Sequence, residues 1–345
     1  MRPRILVPLV AAVLKLTHAE SIPYTDEITH GAISVGVGDP PTLYKLMVDT
    51  GSANTWVGRE EPFKTTPTTR ETGDTVKIYY SSGSFSGKEL IDQVTLSPNL
   101  VVSDQSIGVS TEKTSVEDGI LGLGPTSLTN GTLQNNIAKQ IPTVLDNLYS
   151  EAKISSHVFS IDHEFITFGG YDASKVIGDV VYTPITTTFP ASNFWGIDAS
   201  FMYGGEVILA LTAGIVDHGT AMLLLAADAF EKFQKATGAV MDSDTDLLTI
   251  TPEQYSNLKS LYINLGDHPL EIPSSALLWP RDQNDDIGGD PNKIYLIVGD
   301  QKALSGQGMD FLIGYRILRK FYTVFDVEKD QVGFAYTSFT NTTEN

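Results

Sequence analysis

The 345-residue chain has no cysteine. Disulfides and thiol catalysis are therefore excluded. Export from the cell is not, because a chain of this length buries enough core to hold together without covalent staples. Basic residues are scarce: 23 Lys and Arg stand against 42 Asp and Glu, a formal net charge of −19. Three of the cations, Arg2, Arg4 and Lys15, lie at the extreme N-terminus. So acidic a chain is repelled by nucleic acid and by anionic lipid, and neither is expected as a partner. The charge serves either solubility alone or life in acid, where many carboxylates keep a protein from becoming strongly cationic. Strong helical periodicity is rare, whereas Gly, Ser, Thr and Tyr are plentiful, so a mainly β fold is expected.

Several chemistries are missing as well. The six histidines are scattered, and His163-Glu164 lacks a second His four residues on, so no zinc motif forms. Gly83-Ser-Phe-Ser-Gly87 has Phe85 where a nucleophile elbow needs its Ser. Asp242-Ser-Asp-Thr-Asp246 begins like a calcium loop, then has Leu247 in place of the required Gly. It reads as a solvated turn, as do Asp282 and Asp285-Asp286 in their Gly/Pro-rich loop. No metal or cofactor is expected. Past residue 19 no run is apolar enough to span a bilayer, and the polar tail 341–345 is no lipid-anchor signal. Residues 1–19 combine a basic start, the apolar run Ile5–Leu14 and a small residue at Ala19, the pattern of an export signal. Secretion is expected, and the sequons at Asn130 and Asn341 fit it.

What is present is a short stretch and its echo. Leu46-Met-Val-Asp49-Thr50-Gly51-Ser52 recurs as Gly214-Ile-Val-Asp217-His218-Gly219-Thr220. Each is an apolar run leading into Asp-x-Gly-Ser/Thr, read as a buried strand and a tight turn that exposes a carboxylate. A second element repeats in the same order: Asp118-Gly-Ile-Leu-Gly-Leu-Gly124 is matched by Asp310-Phe-Leu-Ile-Gly314, which precedes the amphipathic segment Tyr315–Tyr322. The glycine spacing is not that of a dinucleotide fingerprint, so close backbone packing is the better reading. Repetition implies two similar halves. Two halves with one carboxylate each can build a shared two-acid site where they meet.

Along the chain, Gly31–Gly38 and Tyr44–Val48 read as strands, and Arg59–Asp74 as a polar loop. Thr75–Tyr80 and Phe85–Val94 form a hairpin tipped by Ser81-Ser82-Gly83-Ser84. That hairpin is either an ordinary surface feature or a mobile lid carrying Tyr80. Pro142–Ala152, Ala226–Thr237 and Pro252–Ser260 read as short helices. Residues 20–27 are a short leader or N-terminal strand. One lobe is expected over 28–187 and the other over 188–340, divided in the Thr/Pro-rich stretch Tyr182–Pro190.

Val-Asp49-Thr-Gly-Ser followed by Asn54-Thr55-Trp56, the small-tipped hairpin with Tyr80, Asp118-Gly-Ile-Leu-Gly122 and Val-Asp217-x-Gly-Thr together resemble the pepsin-like aspartic proteases, and among them the cysteine-free enzymes of wood-rotting fungi. The resemblance runs from about residue 28 to 340. It implies a bilobal, mainly β acid-protease fold, acting as a monomer on a peptide or protein substrate held extended in a cleft. Asp49 and Asp217 would hold a water between them. Ser52 and Thr220 would hydrogen-bond the outer carboxylate oxygens, and Gly51 and Gly219 would permit close backbone approach. Tyr80 would close over the substrate with Ser81 and Ser82 at the flap tip, Trp56 would support it, and Ile120 would line the main specificity pocket.

The sequence departs from this family in two ways. His218 replaces the Thr that, like Thr50, would cross-bond the opposite turn. A buried protonated imidazole would put a cation beside the dyad; a neutral one could imitate the lost hydrogen bond with one ring nitrogen. Restoring Thr is expected to raise turnover or thermal stability. In addition, only residues 20–27 separate the export signal from the first lobe, so the family's basic prosegment has no visible counterpart. Either the protein is not made as a zymogen or its start is incomplete. These departures motivate one alternative to an acid endopeptidase: a non-catalytic peptide or glycan binder on the same fold.

Overall fold

The computed structural model describes residues 19–81, 83–110 and 119–343. Residues 1–18, where the export-signal pattern was read, Ser82, residues 111–118 with Asp118, and the last two residues of the tail lie outside them. The chain is organised as β sheets with a few short helices. In the first half, eight strands form one sheet in the order 25–26, 31–37, 42–49, 120–122, 56–57, 101–110, 83–95 and 70–80. In the second half, seven strands follow the order 268–272, 261–265, 196–203, 206–217, 311–314, 223–225 and 298–300. A six-stranded sheet joins the two. It takes Glu20–Pro23, Val158–Ile161, Phe165–Phe168 and Ile177–Pro184 from one side, and Phe321–Asp326 and Gln331–Tyr336 from the other.

The repeated motifs occupy matching places. Thr42–Asp49 runs parallel to Ile120–Gly122 with Asp49 opposite Gly122. Glu206–Asp217 runs parallel to Phe311–Gly314 with Asp217 opposite Gly314. The repeated glycines are required by close packing. A Cβ on Gly122 would lie 2.5 Å from the carbonyl carbon of Ala53, and one on Gly314 2.1 Å from the Met222 oxygen. Backbone bonds tie each motif to the turn that carries the acid. Leu123 N–H donates to Asp49 O at 2.8 Å, and Tyr315 N–H to Thr220 O at 2.7 Å.

Local expectations hold for the three helices, at Val144–Ser150, Ala227–Thr237 and Pro252–Ser256. Thr143 and Thr251 close capping boxes at the first and third, and Gly238 ends the second in a left-handed conformation. The third stops earlier than expected, at the Asn257 cap. Three expectations need correction. The polar stretch ending at Asp74 is not all loop: a strand begins at Arg70. It lies at the sheet's edge, so its exposed residues carry no apolar alternation to mark it. The hairpin is also tighter than expected, because Gly83 and Ser84, read as part of its tip, pair with Tyr80 and Tyr79. The segment after Gly314 is helical only over Tyr315–Leu318. All four of these residues are buried, so it presents no polar face to solvent.

The halves are held together by specific contacts besides the shared sheet. Trp195 is buried against Phe159 and Phe325, and its Nε1–H donates to Leu123 O at 2.9 Å. Tyr315 Oη donates to Asp26 Oδ1 at 2.8 Å, and Arg319 pairs with Asp26 at 2.6 Å. Trp195→Phe keeps most of the ring packing but leaves the buried Leu123 carbonyl without its donor. It should lower stability by about 1–3 kcal/mol, measured by denaturant unfolding near pH 5; a loss indistinguishable from zero would contradict the assigned bond.

Candidate active site

The two Asp turns face each other at the junction. Asp49 and Asp217 are both buried, at 5% and 7% exposure, and their carboxyls hydrogen-bond one another. Each is held by its own turn in the same way. Gly51 N–H donates to Asp49 Oδ1 at 2.8 Å, and the Ser52 hydroxyl donates to Oδ2. Gly219 N–H donates to Asp217 Oδ1 at 2.8 Å, and Thr220 Oγ1 donates to Oδ2 at 2.6 Å. The turn glycines also abut the opposite acid: a Cβ on Gly51 would lie 2.7 Å from Asp217 Oδ1, and one on Gly219 2.3 Å from Asp49 Oδ1. Any side chain there would drive the carboxyls apart.

Burial raises the proton affinity of both acids. For Asp49 the neighbouring Asp217 charge raises it further, while the hydroxyl and amide donors act in the opposite sense. The pair therefore keeps a proton to higher pH than ordinary carboxylates do. Such a pair can act as base and acid in one step, with one member ionised and the other protonated.

The flap side chains converge on the Asp49 side. Trp56 Nε1–H donates to Tyr80 Oη at 2.9 Å. Burial, then the Asp49 charge, pushes the Tyr80 phenol well above its usual range. Phe85 stacks on Trp56 with ring centroids 4.4 Å apart, so this Phe serves as a packing residue. Ile120 is buried in the same apolar cluster as Trp56 and Phe85, with Tyr80 packed against it. Ser81 is exposed at the hairpin turn, next to Ser82, which lies outside the described residues. Asn130 and Asn341 are both exposed. Among the described residues, no group of three or more His, Asp or Glu is placed to hold a metal.

The two residues between Asp and Gly differ sharply. Thr50 is fully buried. Its Oγ1 donates to Val216 O at 3.0 Å and accepts from His218 N–H at 3.0 Å. His218 is also buried, yet neither ring nitrogen has a hydrogen-bond partner. The ring meets Phe325 edge to face, with centroids 5.8 Å apart. Both alternatives read from the sequence therefore fail. The imidazole does not imitate the missing Thr hydroxyl, and burial lowers its proton affinity to about 3, so over most of the acid range it is not a cation. The cross-bond between the turns is made by the Thr50 side chain. Trp195 was not singled out for the junction by its sequence, because nothing local marks a tryptophan that bonds a carbonyl in the other half.

A family model described as eukaryotic aspartyl protease matches residues 31–337. The chain belongs to that family and is an aspartic endopeptidase. It is 46% identical over 340 residues to polyporopepsin of Irpex lacteus, an alignment covering 95% of this chain and all of that one. It is 31% identical to rhizopuspepsin-1 of Rhizopus niveus, over 87% of this chain and 77% of that one. The fold matches the crystal structure of the aspartic proteinase from Irpex lacteus with a TM-score of 0.93. The same match covers 95% of this chain and 100% of that one, at 46% identity. The bilobal pepsin fold is thereby established. The non-catalytic binder finds no support among these relatives.

Thr50→Val keeps the side-chain shape but leaves the Val216 carbonyl and the His218 amide unpaired. Stability should fall by about 2–6 kcal/mol, from two buried groups at roughly 1–3 kcal/mol each, with a drop in kcat. Thr50→Ser should restore most of both. Equal unfolding midpoints for all three proteins would contradict the single-threonine lock.

Proposed function

We propose that Asp49 and Asp217 are the catalytic pair of this endopeptidase, working on one water molecule in acid. The observation that carries the reading is the matched holding of the two carboxyls, each by a glycine N–H and a hydroxyl, within hydrogen-bond reach of each other. The ionised member takes a proton from water as its oxygen attacks the peptide carbonyl carbon. The protonated member donates to the carbonyl oxygen, giving a tetrahedral diol. Collapse of the diol breaks the C–N bond, and the departing nitrogen takes up a proton. No covalent enzyme intermediate is needed. Two carboxylates so close share a proton, a case for which the aspartic-protease dyad is itself the standard illustration.

The remaining residues support this chemistry. Ser52 and Thr220 hold the outer oxygens, and Thr50 fixes the spacing of the turns, with Gly51 and Gly219 giving room. Tyr80, Ser81 and Ser82 close over an extended peptide, braced by Trp56, and Ile120 lines an apolar specificity pocket. Cleavage falls between apolar residues. We take the lobes to be 28–187 and 188–340, joined beneath the cleft by the six-stranded sheet. The enzyme acts as a secreted monomer, glycosylated at Asn130 and Asn341, with no nucleic-acid partner; the N-terminal signal pattern, the sequons and the acidic charge support this. No helix among the described residues is long and apolar enough to cross a membrane.

Hydrolysis of a denatured protein should follow a bell-shaped pH profile in acid. Protonation of both acids removes the base on the low side, and loss of the shared proton removes the acid on the high side. Because folding raises both affinities, the dyad's contribution to stability is fully present below the ordinary carboxylate range and is lost as pH rises through the raised values. Asp49→Asn should cut the rate by about 10²–10⁴-fold or more and flatten the loss of stability towards neutral pH. Activity that survives this change, or a rate that climbs through pH 7, would refute the assignment.

A further inference from the structure

His218 is a buried titratable side chain beside the dyad that the two-acid reaction leaves idle. The residue is only 1% exposed, and both ring nitrogens lack partners. Its own backbone N–H completes the Thr50 bridge between the turns. On its own turn the titratable neighbour is Asp217, and on the opposing turn it is Asp49. From the strand Phe321–Asp326, Phe325 meets the ring. Residues alternate along that strand, so Tyr322 and Asp326 face the other side. Trp195, which packs on Phe325, does not titrate. Burial is the influence that governs the imidazole.

We propose that His218 is a positioning residue that sets the acid limit of this enzyme: to take up a proton its ring must leave the junction, and in leaving it carries the Asp217 turn out of register with Asp49. The inference rests on the reading of these aspartates as the catalytic pair. A free imidazole binds a proton near pH 6.5, whereas the buried ring resists until about 3. Between those values the opened and unfolded forms gain a proton that the closed form refuses. Folded-state stability from the neutral ring is complete above about pH 6.5 and is lost as pH falls towards the lower value. Opening becomes more favourable by up to about tenfold per pH unit across that window.

The test uses the full chain as wild type, His218→Thr and His218→Gln, the last polar and of similar size but unable to titrate. Unfolding constants are measured at pH 3.5, 5 and 6.5, and residual hydrolysis is measured after incubation at each pH. The expected result is a ratio of wild-type to variant unfolding constants that grows up to about tenfold per pH unit as pH falls. Acid incubation should also inactivate the wild type more than either variant. A purely structural role would shift the ratio equally at every pH, and that outcome overturns the proposal. Ring resonances of His218 in the folded wild type that titrate near pH 6.5 overturn it too, even if neither variant folds. The parent reading fails separately, through hydrolysis by Asp49→Asn. If Asp49→Asn is inactive and the unfolding ratio does not change with pH, the dyad stands and the acid-limit role falls.

Discussion

Two buried carboxyls held within hydrogen-bond reach of each other are the constraint to which the rest of the junction answers. Burial alone makes ionisation of either acid costly, and the charge of one makes ionisation of the other costlier. The arrangement survives because each oxygen is met by a donor from its own turn, and because one proton can serve both groups. Neither turn can hold this position alone. The wall behind each carboxyl is the glycine of the opposite turn, so the site exists only when the halves are docked.

That dependence accounts for the architecture around it. The parallel pairing of each Asp strand with a second strand ending in glycine fixes the height of the carboxyl. The missing Cβ atoms of Gly122 and Gly314 let the turn backbone pass close by. Thr50 spans the gap between the turns, and Trp195, Tyr315 and Asp26 join the halves farther out. The six-stranded sheet closes the base. Tyr80 is tied to Trp56 rather than to either turn.

The parts of this design that impose a local backbone demand were legible in the sequence. Asp-x-Gly-Ser/Thr, the glycine motif after it and their repetition are visible because close approach admits few residues. The three helices were visible to within a few residues, although the caps that bound them, Thr143, Thr251 and Gly238, were found only in the structure. What was not legible is what depends on distant partners. The six-stranded sheet draws on residues near 20, 160, 180 and 325, and no segment announces its neighbours. The edge strand at Arg70 is polar because it has solvent on one side. The state of His218 could not be read either. Whether an imidazole is charged, bonded or orphaned depends on what surrounds it, and here the surroundings are Phe325 and a threonine from the other half.

The two kinds of titratable group at this junction pull stability in opposite directions. The dyad, with proton affinities raised by folding, favours the folded state in acid and opposes it as pH rises. His218, with its affinity lowered, favours the folded state above about pH 6.5 and opposes it in acid. Each pH unit of unequal affinity is worth about 1.4 kcal/mol per group, against a total of roughly 5–15 kcal/mol for a typical domain. Neither effect is minor. In the window where the dyad holds a single proton, the imidazole is already a net cost, because the unfolded chain would protonate it. A threonine at 218 would carry no such cost and could share the cross-bonding that Thr50 now performs alone. The acidity that the reaction demands therefore sets the imidazole against the dyad at this junction.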